Sequence, residues 1–246
     1  MPGERQRVDV ISKRLTTRSE ENKLGYYQPY RFQKTFHESG IDANQRLLMA
    51  ANRVGKSFVG AMEMAIHLTG NYPSWWRGKR FKKPIKAWVC GASNETTRDI
   101  CQKELFGQPD NPRDRGKGSI PKDLIGETTR KPGVPNAHSS VLVKHSSGGW
   151  SRVAFKAYEM GAEKFMGESI DLVWLDEEPP QDIYSQCITR TLDRRGQVYL
   201  TFTPENGMTE VVQNFTNELK PAQALITAGW EDAEHLTDDM KEQILA

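Results

Sequence analysis

The sequence has few cysteines, no strong bias of charge and no long apolar run. Its three cysteines, Cys90, Cys101 and Cys187, are an odd number without a CxxC pair, so neither a disulfide framework nor a zinc site is expected. Lysine and arginine together number 34 and aspartate and glutamate 32, so any basic surface is a local patch. No stretch approaches the roughly 20 apolar residues that span a bilayer, and no apolar signal core opens the chain. We expect a soluble, intracellular protein that does not bind a membrane.

Apolar runs alternate with helical patterns along most of the 246 residues. Residues 1–25 are polar and are predicted to be a flexible leader, and 26–246 one large α/β domain. The predicted strands are 45–50, 87–90, 170–175, 198–203 and 224–228, and the predicted helices are 58–68, 94–106, 180–192 and 207–219. Such alternation favours a mostly parallel central sheet flanked by helices, with ligands at the carboxyl ends of the strands. Residues 107–140 are predicted to be a loop or insertion, and 141–145 with 152–157 a hairpin.

A phosphate-binding loop is predicted where the first strand meets the following helix. Its residues are Ala50, Ala51, Asn52, Arg53, Val54, Gly55, Lys56 and Ser57. In this pattern the glycine lets the backbone approach phosphate, the lysine reaches the β and γ phosphates, and the hydroxyl ligates magnesium. The helix that follows points its partially positive N-terminus at the same anion. Ala50 replaces the first glycine of the standard pattern, and an exposed turn that binds nothing is the alternative.

Two acids, Asp176 and Glu177, end a later apolar run. Buried strands rarely end in consecutive carboxylates without a function for them, because an unpaired carboxylate is costly to desolvate. We predict that Asp176 holds magnesium opposite Ser57, directly or through water, and that Glu177 polarises the attacking water. Glu178 is the alternative for the second role, although the proline pair after it suggests that it turns toward solvent. Acids gathered at a helix N-terminus are the structural alternative for all three.

Three more side chains are candidates for the same site. Gln33 offers a donor and an acceptor that match the N6 and N7 edge of adenine, and Tyr30 nearby can stack on the base. Thr203, at the end of the strand after the acidic pair, is predicted to hydrogen-bond the γ-phosphate or the Glu177 carboxylate and so to sense hydrolysis. The alternatives are a solvated helix residue for Gln33 and an ordinary strand end for Thr203.

Taken together, residues 50–57, 175–180 and 201–208 resemble the ATPase domain of a terminase large subunit, the DNA-packaging motor of tailed double-stranded-DNA phages. The resemblance is closest to the headful-packaging, short-tailed type and extends from about Tyr30 to the C-terminus. It implies a RecA-like P-loop NTPase fold of the class with an added catalytic-glutamate strand. The implied roles are adenine recognition by Gln33, metal binding by Ser57 and Asp176, catalysis by Glu177, Lys56 and Arg53, and coupling through Thr203.

The sequence does not fix which arginine stabilises charge during catalysis. Relatives tend to have an arginine shortly before the acidic pair, whereas residues 161–167 here read Gly-Ala-Glu-Lys-Phe-Met-Gly. The candidates, acting within the subunit or on a neighbouring one, are Arg53, Arg98, Arg152 and Arg190. A solvated surface arginine is the alternative for each.

The resemblance implies an ATP- and Mg²⁺-dependent motor that moves double-stranded DNA into a procapsid. Implied partners are double-stranded DNA, the portal protein and the small terminase subunit, and the motor is implied to be a ring on the capsid whose subunits are monomeric alone. It would work in the host cytoplasm and be absent from the mature virion. A full terminase continues into a nuclease domain, so the segment ending at Ala246 is expected to hydrolyse ATP without cutting DNA. The alternatives are a nucleotide-gated assembly module with slow hydrolysis, and a helicase, which would need a second motor half.

A basic stretch, residues 75–83, is a candidate contact for DNA phosphates. Its five basic residues are Arg77, Lys79, Arg80, Lys82 and Lys83. Binding through them would be sensitive to salt. The alternative is a loop whose aromatic side chains pack on the sheet edge while the lysines face water.

Overall fold

The computed structural model describes residue 16 and residues 18–245. Most of the predicted leader, residues 1–15 and 17, lies outside the described residues. Its last part is folded, because helix α1, Lys23–Tyr26, is capped by the side chain of Asn22 and buries Leu24 against the core. The folded domain therefore begins before residue 26.

Within the described residues, eight strands form one sheet in the order β3-β4-β5-β2-β6-β7-β1-β8. Six neighbouring strands run parallel, namely β5, β2, β6, β7, β1 and β8. Strand β4 pairs antiparallel with β5, and β3 pairs antiparallel with β4. Their bounds are β1 Gln45–Ala50, β2 Lys86–Gly91, β3 Ile125–Arg130, β4 His138–Lys144, β5 Trp150–Ala157, β6 Leu172–Asp176, β7 Gln197–Phe202 and β8 Gln223–Ala228. The predicted mostly parallel α/β sheet is confirmed.

Helices cover both faces of the sheet. Those after α1 are α2 Arg31–Ser39, α3 Lys56–Thr69, α4 94–106, α5 Gln181–Leu192, α6 Glu210–Thr216 and α7 Asp238–Leu245. Helix α4 is continuous but has a π-helical middle, Thr97–Gln102. The predicted helices after the first, second, third and fourth strands are thus all present, and only that at 207–219 is shorter than expected. No helix in the described part of the chain is long and apolar enough to cross a bilayer.

The segment 107–140, predicted to be loop or insertion, contains strand β3. The sequence pattern misses β3 because it is an edge strand whose side chains are mostly half-buried or exposed, with Ile125 as its one large apolar residue. The predicted hairpin is confirmed, since β4 and β5 pair antiparallel around residues 145–149. This hairpin carries the sheet outward from β2.

Alternating side chains of the central strands fill two separate cores. Leu48 and Trp174 face helices α2 and α3, whereas Leu47 and Leu175 face α5 and α6. Helix α3 packs closely on the sheet at Gly60, where an added Cβ would lie 2.4 Å from Cε2 of Trp174. Burial on both faces explains why these parallel strands read as continuous apolar runs.

Strand β7 lies between β1 and β6 and aligns their carboxyl ends. Leu47 of β1 is level with Leu200 of β7, and Asp176 of β6 is level with Thr201. The loop after β1 and the acids after β6 therefore meet at one edge of the sheet, separated by one strand.

Candidate functional site

The loop after β1 has the backbone of a phosphate-binding loop. Gly55 (φ 92°) and Arg53 (φ 67°) are both left-handed, and helix α3 starts at Lys56. Ala50, which replaces the first glycine, is still in strand β1 and is level with Ala228 of β8. Its position needs no left-handed residue, so the departure from the standard pattern is structurally neutral. Val54 is fully buried and fixes the loop to the core.

Asn52 connects the loop to the residues after β7. Its Oδ1 accepts hydrogen bonds from Nζ of Lys56 at 3.0 Å and from Oγ1 of Thr203 at 2.9 Å, and its Nδ2 donates to Oε1 of Glu205 at 3.2 Å. Thr203 Oγ1 also lies 2.8 Å from the carbonyl oxygen of Ala50. Among the described residues Thr203 thus holds the phosphate loop and makes no bond to Glu177, while its predicted bond to the γ-phosphate stays a prediction.

Asp176 is the acceptor at the centre of the site. Ser57 Oγ donates to its two carboxylate oxygens at 3.1 and 3.3 Å, and Thr201 Oγ1 donates to Oδ1 at 2.7 Å. Burial raises the pKa of Asp176 to about 7, and the charge of Glu177 adds to this while Thr201, Ser57 and Lys56 oppose it. Asp176 lies opposite Ser57 as predicted, and magnesium binding by the two residues stays a prediction.

Glu177 has a left-handed backbone (φ 62°) that is unusual for a residue with a side chain. Its N–H donates to the carbonyl oxygen of Thr201 at 3.0 Å. Tyr158 donates its hydroxyl toward the carbonyl oxygens of Asp176 (2.9 Å) and Glu177 (3.0 Å). Burial raises the pKa of the Glu177 carboxyl, Lys56 opposes the rise and Glu205 adds to it. Such strained, over-determined residues cluster at active sites.

Glu178 does not turn toward solvent as predicted. Its Oε1 accepts a hydrogen bond from Oγ1 of Thr209, and its Oε2 is buried without a hydrogen-bond partner among the described residues. The proline pair that follows directs the chain into helix α5 rather than out to water. Glu178 thus connects the acidic turn with the start of helix α6, which Thr209 caps.

A cavity of about 290 Å³ opens beside the phosphate loop, and Gln33, Tyr30 and Gly55 are among its lining residues. Gln33 is buried, and its Oε1 accepts from the N–H of Tyr30 at 3.0 Å and from the hydroxyl of Tyr27 at 3.2 Å. The acceptor half of the amide is therefore occupied in this structure, and recognition of adenine by Gln33 stays a prediction. The Nε2 group, for which no described residue is an acceptor, remains to donate to a base.

The segment after β8 completes this end of the site and was missed by sequence reasoning. Trp230 Nε1 donates to the carbonyl oxygen of Asn52 at 2.9 Å, and His235 Nε2 donates to that of Arg53 at 3.1 Å. The His235 ring also stacks on Tyr30, with centroids 5.9 Å apart and planes 12° from parallel. Since Ala51 N–H donates to the carbonyl oxygen of Ala228, the whole loop is tied to β8 and the segment after it.

Two of the arginine candidates lie near the carboxyl ends of the strands and two near the amino ends. Arg53 is exposed in the phosphate loop, and Arg98 is paired with Asp99 near the same edge. Arg152 is level with the first residue of β2, and Arg190 donates to the carbonyl oxygen of Gly167, before β6 begins. Both therefore lie at the amino ends of the strands, and the structure removes them as candidates acting on the site of their own subunit.

The aromatic side chains of the basic stretch, residues 75–83, pack inward, as in the structural alternative to DNA binding. Trp76 is buried, and Trp75 and Phe81 pack against the core. Lys79 donates to the carbonyl oxygen of Arg195, just before β7, which places the stretch at the edge opposite the phosphate loop. A role in binding DNA stays a prediction.

Oxygen atoms dominate the place where a metal ion would bind. Ser57 Oγ and the Asp176 carboxylate are hard ligands of the kind that Mg²⁺ prefers, and Mg²⁺ usually takes one or two protein carboxylates together with phosphate and water. Among the described residues no group of three or more His, Cys, Asp or Glu side chains could hold a metal ion. Ser57 and Asp176 therefore fit a magnesium ion that also takes ligands from a polyphosphate and water.

A phosphate loop on a parallel strand, followed by a helix and faced by an acid two strands away, defines a P-loop NTPase domain. A family model described as "Terminase large subunit, T4likevirus-type, N-terminal" matches residues 47–246. The chain belongs to this family.

Individual relatives agree with this membership. The large terminase subunit of Salmonella phage P22 is 40% identical over 238 residues, and that of Enterobacteria phage LP7 is 24% identical over 240 residues. Each match covers 89% of this chain but only 48% and 49% of the relatives, so the chain spans about half the length of the curated relatives it matches.

Two solved structures share the fold. The ATPase domain of the Thermus phage P74-26 large terminase, solved as a point mutant, has a TM-score of 0.61 and 15% identity, covering 91% of this chain and 89% of that one. The large terminase of a second, thermophilic bacteriophage, in complex with ADP, has a TM-score of 0.61 and 9% identity, covering 88% and 49%. The predicted P-loop fold and terminase resemblance are confirmed.

Proposed function

We propose that this domain hydrolyses ATP and that hydrolysis drives double-stranded viral DNA into a procapsid. The observation that carries the proposal is the contact of Ser57 Oγ with the Asp176 carboxylate, because it joins the phosphate loop to the acidic strand in one site. Family membership and the fold of large terminase ATPase domains support the same function.

ATP would bind with its phosphates at the N-terminus of helix α3 and its base in the cavity beside Tyr30 and Gln33. The N–H groups of the loop and the helix dipole favour the anion. Lys56 would exchange its bond to Asn52 for a phosphate oxygen, which makes it the mobile cation of the site.

Glu177 is proposed to orient and accept a proton from the attacking water. Its left-handed backbone is held by Thr201 and Tyr158, so its carboxylate starts from a fixed point at the sheet edge. A pKa raised by burial makes this carboxylate a better proton acceptor than an exposed one. Ser57 and Asp176 would hold Mg²⁺, which neutralises charge on the phosphates.

The bonds at Asn52 offer a route from hydrolysis to movement. Asn52 Oδ1 accepts hydrogen bonds from both Lys56 and Thr203. If Lys56 moves to a phosphate, Asn52 Oδ1 loses one of these two donors. Thr203 and Glu205 would then carry the change into the segment before helix α6. This role replaces the predicted bond between Thr203 and Glu177.

For the whole protein we propose the partners of a packaging motor: double-stranded DNA, a portal protein and a small terminase subunit. The motor would be a ring of subunits on the capsid in the host cytoplasm, with the domain monomeric alone. Support comes from membership of the terminase large-subunit family. That this segment does not cut DNA stays a prediction, and incubation with plasmid DNA and Mg²⁺ tests it.

Glu177→Gln tests the catalytic assignment. We expect ATP turnover to fall by about 10²–10⁴-fold, the usual contribution of a positioned base, while ATP binding is retained. Steady-state phosphate release with excess Mg²⁺ or EDTA, and equilibrium binding of a fluorescent ATP analogue, measure the two quantities.

Glu178→Gln is the matched control, because it removes the neighbouring carboxylate, which Thr209 holds. We expect it to keep turnover within a few-fold of the wild type. Full turnover by Glu177→Gln together with loss in Glu178→Gln would transfer the role to Glu178. Absence of ATP binding by the wild type would contradict the proposed function as a whole.

A further inference from the structure

A second cavity, of about 230 Å³, lies between helix α4 and the β3–β4 pair, away from the phosphate loop. We call it the β3–β4 cavity. Arg115, Arg130 and His138 line it together with amide side chains, and its twelve lining residues include no aspartate or glutamate. A cavity with this lining attracts an anion.

The two guanidinium groups of the β3–β4 cavity have no carboxylate partner among the described residues. Arg115 Nη2 donates to the carbonyl oxygen of Gly126 at 3.2 Å, and Arg130 is exposed at the end of β3. The acid next to Arg115 in sequence, Asp114, is already paired with Lys117 at 2.8 Å. Neighbouring cations without an anion repel each other, so an added anion would be stabilised by both.

His138, which lines the same cavity, has a buried polar atom without a partner in the described part of the chain. Its Nδ1 is buried and has no hydrogen-bond partner among the described residues, which is costly for a polar group. The pKa of the ring is lowered by burial and then by Arg115 and Arg130, so both guanidinium groups act on the imidazole. All three basic side chains line the one cavity.

The frame that carries these groups is well fixed. Gln102 Nε2 donates to the carbonyl oxygen of His138, and the N–H of His138 donates to Oε1 of Gln102, each at 2.9 Å. The Phe106 and His138 rings pack edge to face, with their centroids 6.1 Å apart. Because helix α4 clamps the start of β4 in this way, the cavity is preformed, and binding would cost little ordering.

We propose that the β3–β4 cavity binds a phosphate group, through the guanidinium groups of Arg115 and Arg130 with His138 beside them. Guanidinium groups match tetrahedral phosphate oxygens in charge and geometry. The phosphate could belong to the backbone of duplex DNA or be free inorganic phosphate, and these sources share the same recognition chemistry. The site is separate from the proposed nucleotide site and does not depend on ATP hydrolysis.

The test compares Arg115→Gln/Arg130→Gln with Arg113→Gln, a control that removes an exposed arginine of the same segment outside the cavity lining. Inorganic phosphate and a 20-base-pair duplex are titrated separately into the full chain by calorimetry in phosphate-free buffer. We expect the double variant to bind at least one of the two at least about tenfold more weakly, as loss of charge-assisted hydrogen bonds predicts. The control should bind both as the wild type does.

The pattern of loss identifies the source of the phosphate. Weaker duplex binding indicates backbone phosphate if the slope of log binding constant against log salt concentration also becomes shallower, by roughly 0.9 for each lost phosphate contact. Loss of inorganic phosphate binding with unchanged duplex binding indicates the free ion. Arg130→Gln alone, which keeps the bond from Arg115 to Gly126, repeats the test if the double variant unfolds. Wild-type affinity of the folded variants for both ligands, or no binding of either ligand by the wild type, would overturn the proposal.

Discussion

Two buried carboxylates, Glu63 in the middle of helix α3 and Asp176 at the end of β6, have opposite surroundings. Glu63 is bonded by Arg46 Nη2 at 2.6 Å, by His37 Nδ1 at 2.5 Å and by His67 Nε2 at 3.1 Å. Burial acts to raise its pKa, but Arg46 and the two histidines hold the pKa well below its usual value. Glu63 is therefore a compensated charge within the fold.

Asp176 is as buried as Glu63 but has hydroxyl groups and a thiol as partners. Ser57 and Thr201 donate to it, and Cys101 Sγ lies 3.7 Å from Oδ2. Burial raises its pKa to about 7. The difference between the two acids teaches that burial alone does not mark a functional carboxylate. The distinguishing feature of Asp176 is burial without a bonded cation among the described residues, beside a predicted phosphate loop.

Of the changes that distinguish Asp176 from Glu63, Asp176→Asn should have the largest effect on ATP turnover. We expect ATP turnover to fall by at least about 100-fold, because the proposed magnesium ligand is lost. The free energy of unfolding in EDTA at pH 8 should stay equal or rise, because a buried charge is removed with its shape preserved. Turnover assays and urea unfolding measure the two quantities, and a large loss of stability would contradict the comparison.

Glu63→Ala should give the opposite result. It leaves Arg46 buried without its carboxylate, so we expect a loss of about 3–5 kcal/mol in the free energy of unfolding. Glu38→Ala is the surface control, since Glu38 is partly exposed and pairs with Lys34 at 3.9 Å, and it should cost about 1 kcal/mol or less. Equal losses in the two variants would show that the buried cluster is not the stabilising feature.

The pH dependence of the free energy of unfolding in EDTA should also distinguish Asp176 from Glu63. This experiment does not require a substitution of Glu63. The pKa of Asp176 rises from 3.8 to about 7 on folding, so its stabilising contribution is complete below pH 3.8 and is lost as the pH rises toward 7. We expect the stability of the wild type relative to Asp176→Asn to fall over that window. Glu63 has a lowered pKa, so its contribution is present above pH 4.5 and is lost as the pH falls below it. The predicted fall would be contradicted if the difference in free energy of unfolding between wild type and Asp176→Asn did not change with pH.

Thr201→Val is the mildest change in this series. It removes a donor to Asp176 and leaves Nε1 of Trp174 without its acceptor, at a cost of about 1–3 kcal/mol. Loss of the donor should move the titration of Asp176 to higher pH, since Thr201 lowers its pKa. Thr201→Ser keeps the hydroxyl and is the control. An unchanged titration in Thr201→Val would show that the hydroxyl does not tune the acid.

Local pattern was enough to predict the parts of the site that are near in sequence. Strand β1, the loop and helix α3 form one continuous signal, and the acids after β6 follow a run of apolar residues. Contacts between distant residues could not be predicted in this way. Trp230 and His235 reach the loop across a sequence separation of 178 and 182 residues, and neither residue has a pattern that indicates a ligand contact.

The contacts of Thr203, Gln33 and Glu178 share a physical cause. Each hydroxyl, amide or carboxylate is bonded to a neighbouring protein group. Polar atoms inside a fold must find partners, and nearby backbone and side-chain groups supply them in ways that local sequence does not predict. Strand β3 was missed for another reason, because an edge strand lacks the apolar run by which its buried neighbours are recognised.

The bare backbone at Gly60 has a consequence for the chemistry one turn earlier in helix α3. Trp174 fills the space where a side chain would begin, and Tyr199 donates its hydroxyl to the carbonyl oxygen of Gly60 at 2.8 Å. A single methyl group at this point would act as a wedge between the helix and β6, and the gap would open where Ser57 reaches Asp176. The contact between Ser57 and Asp176 thus depends partly on a residue that contributes only the absence of a side chain.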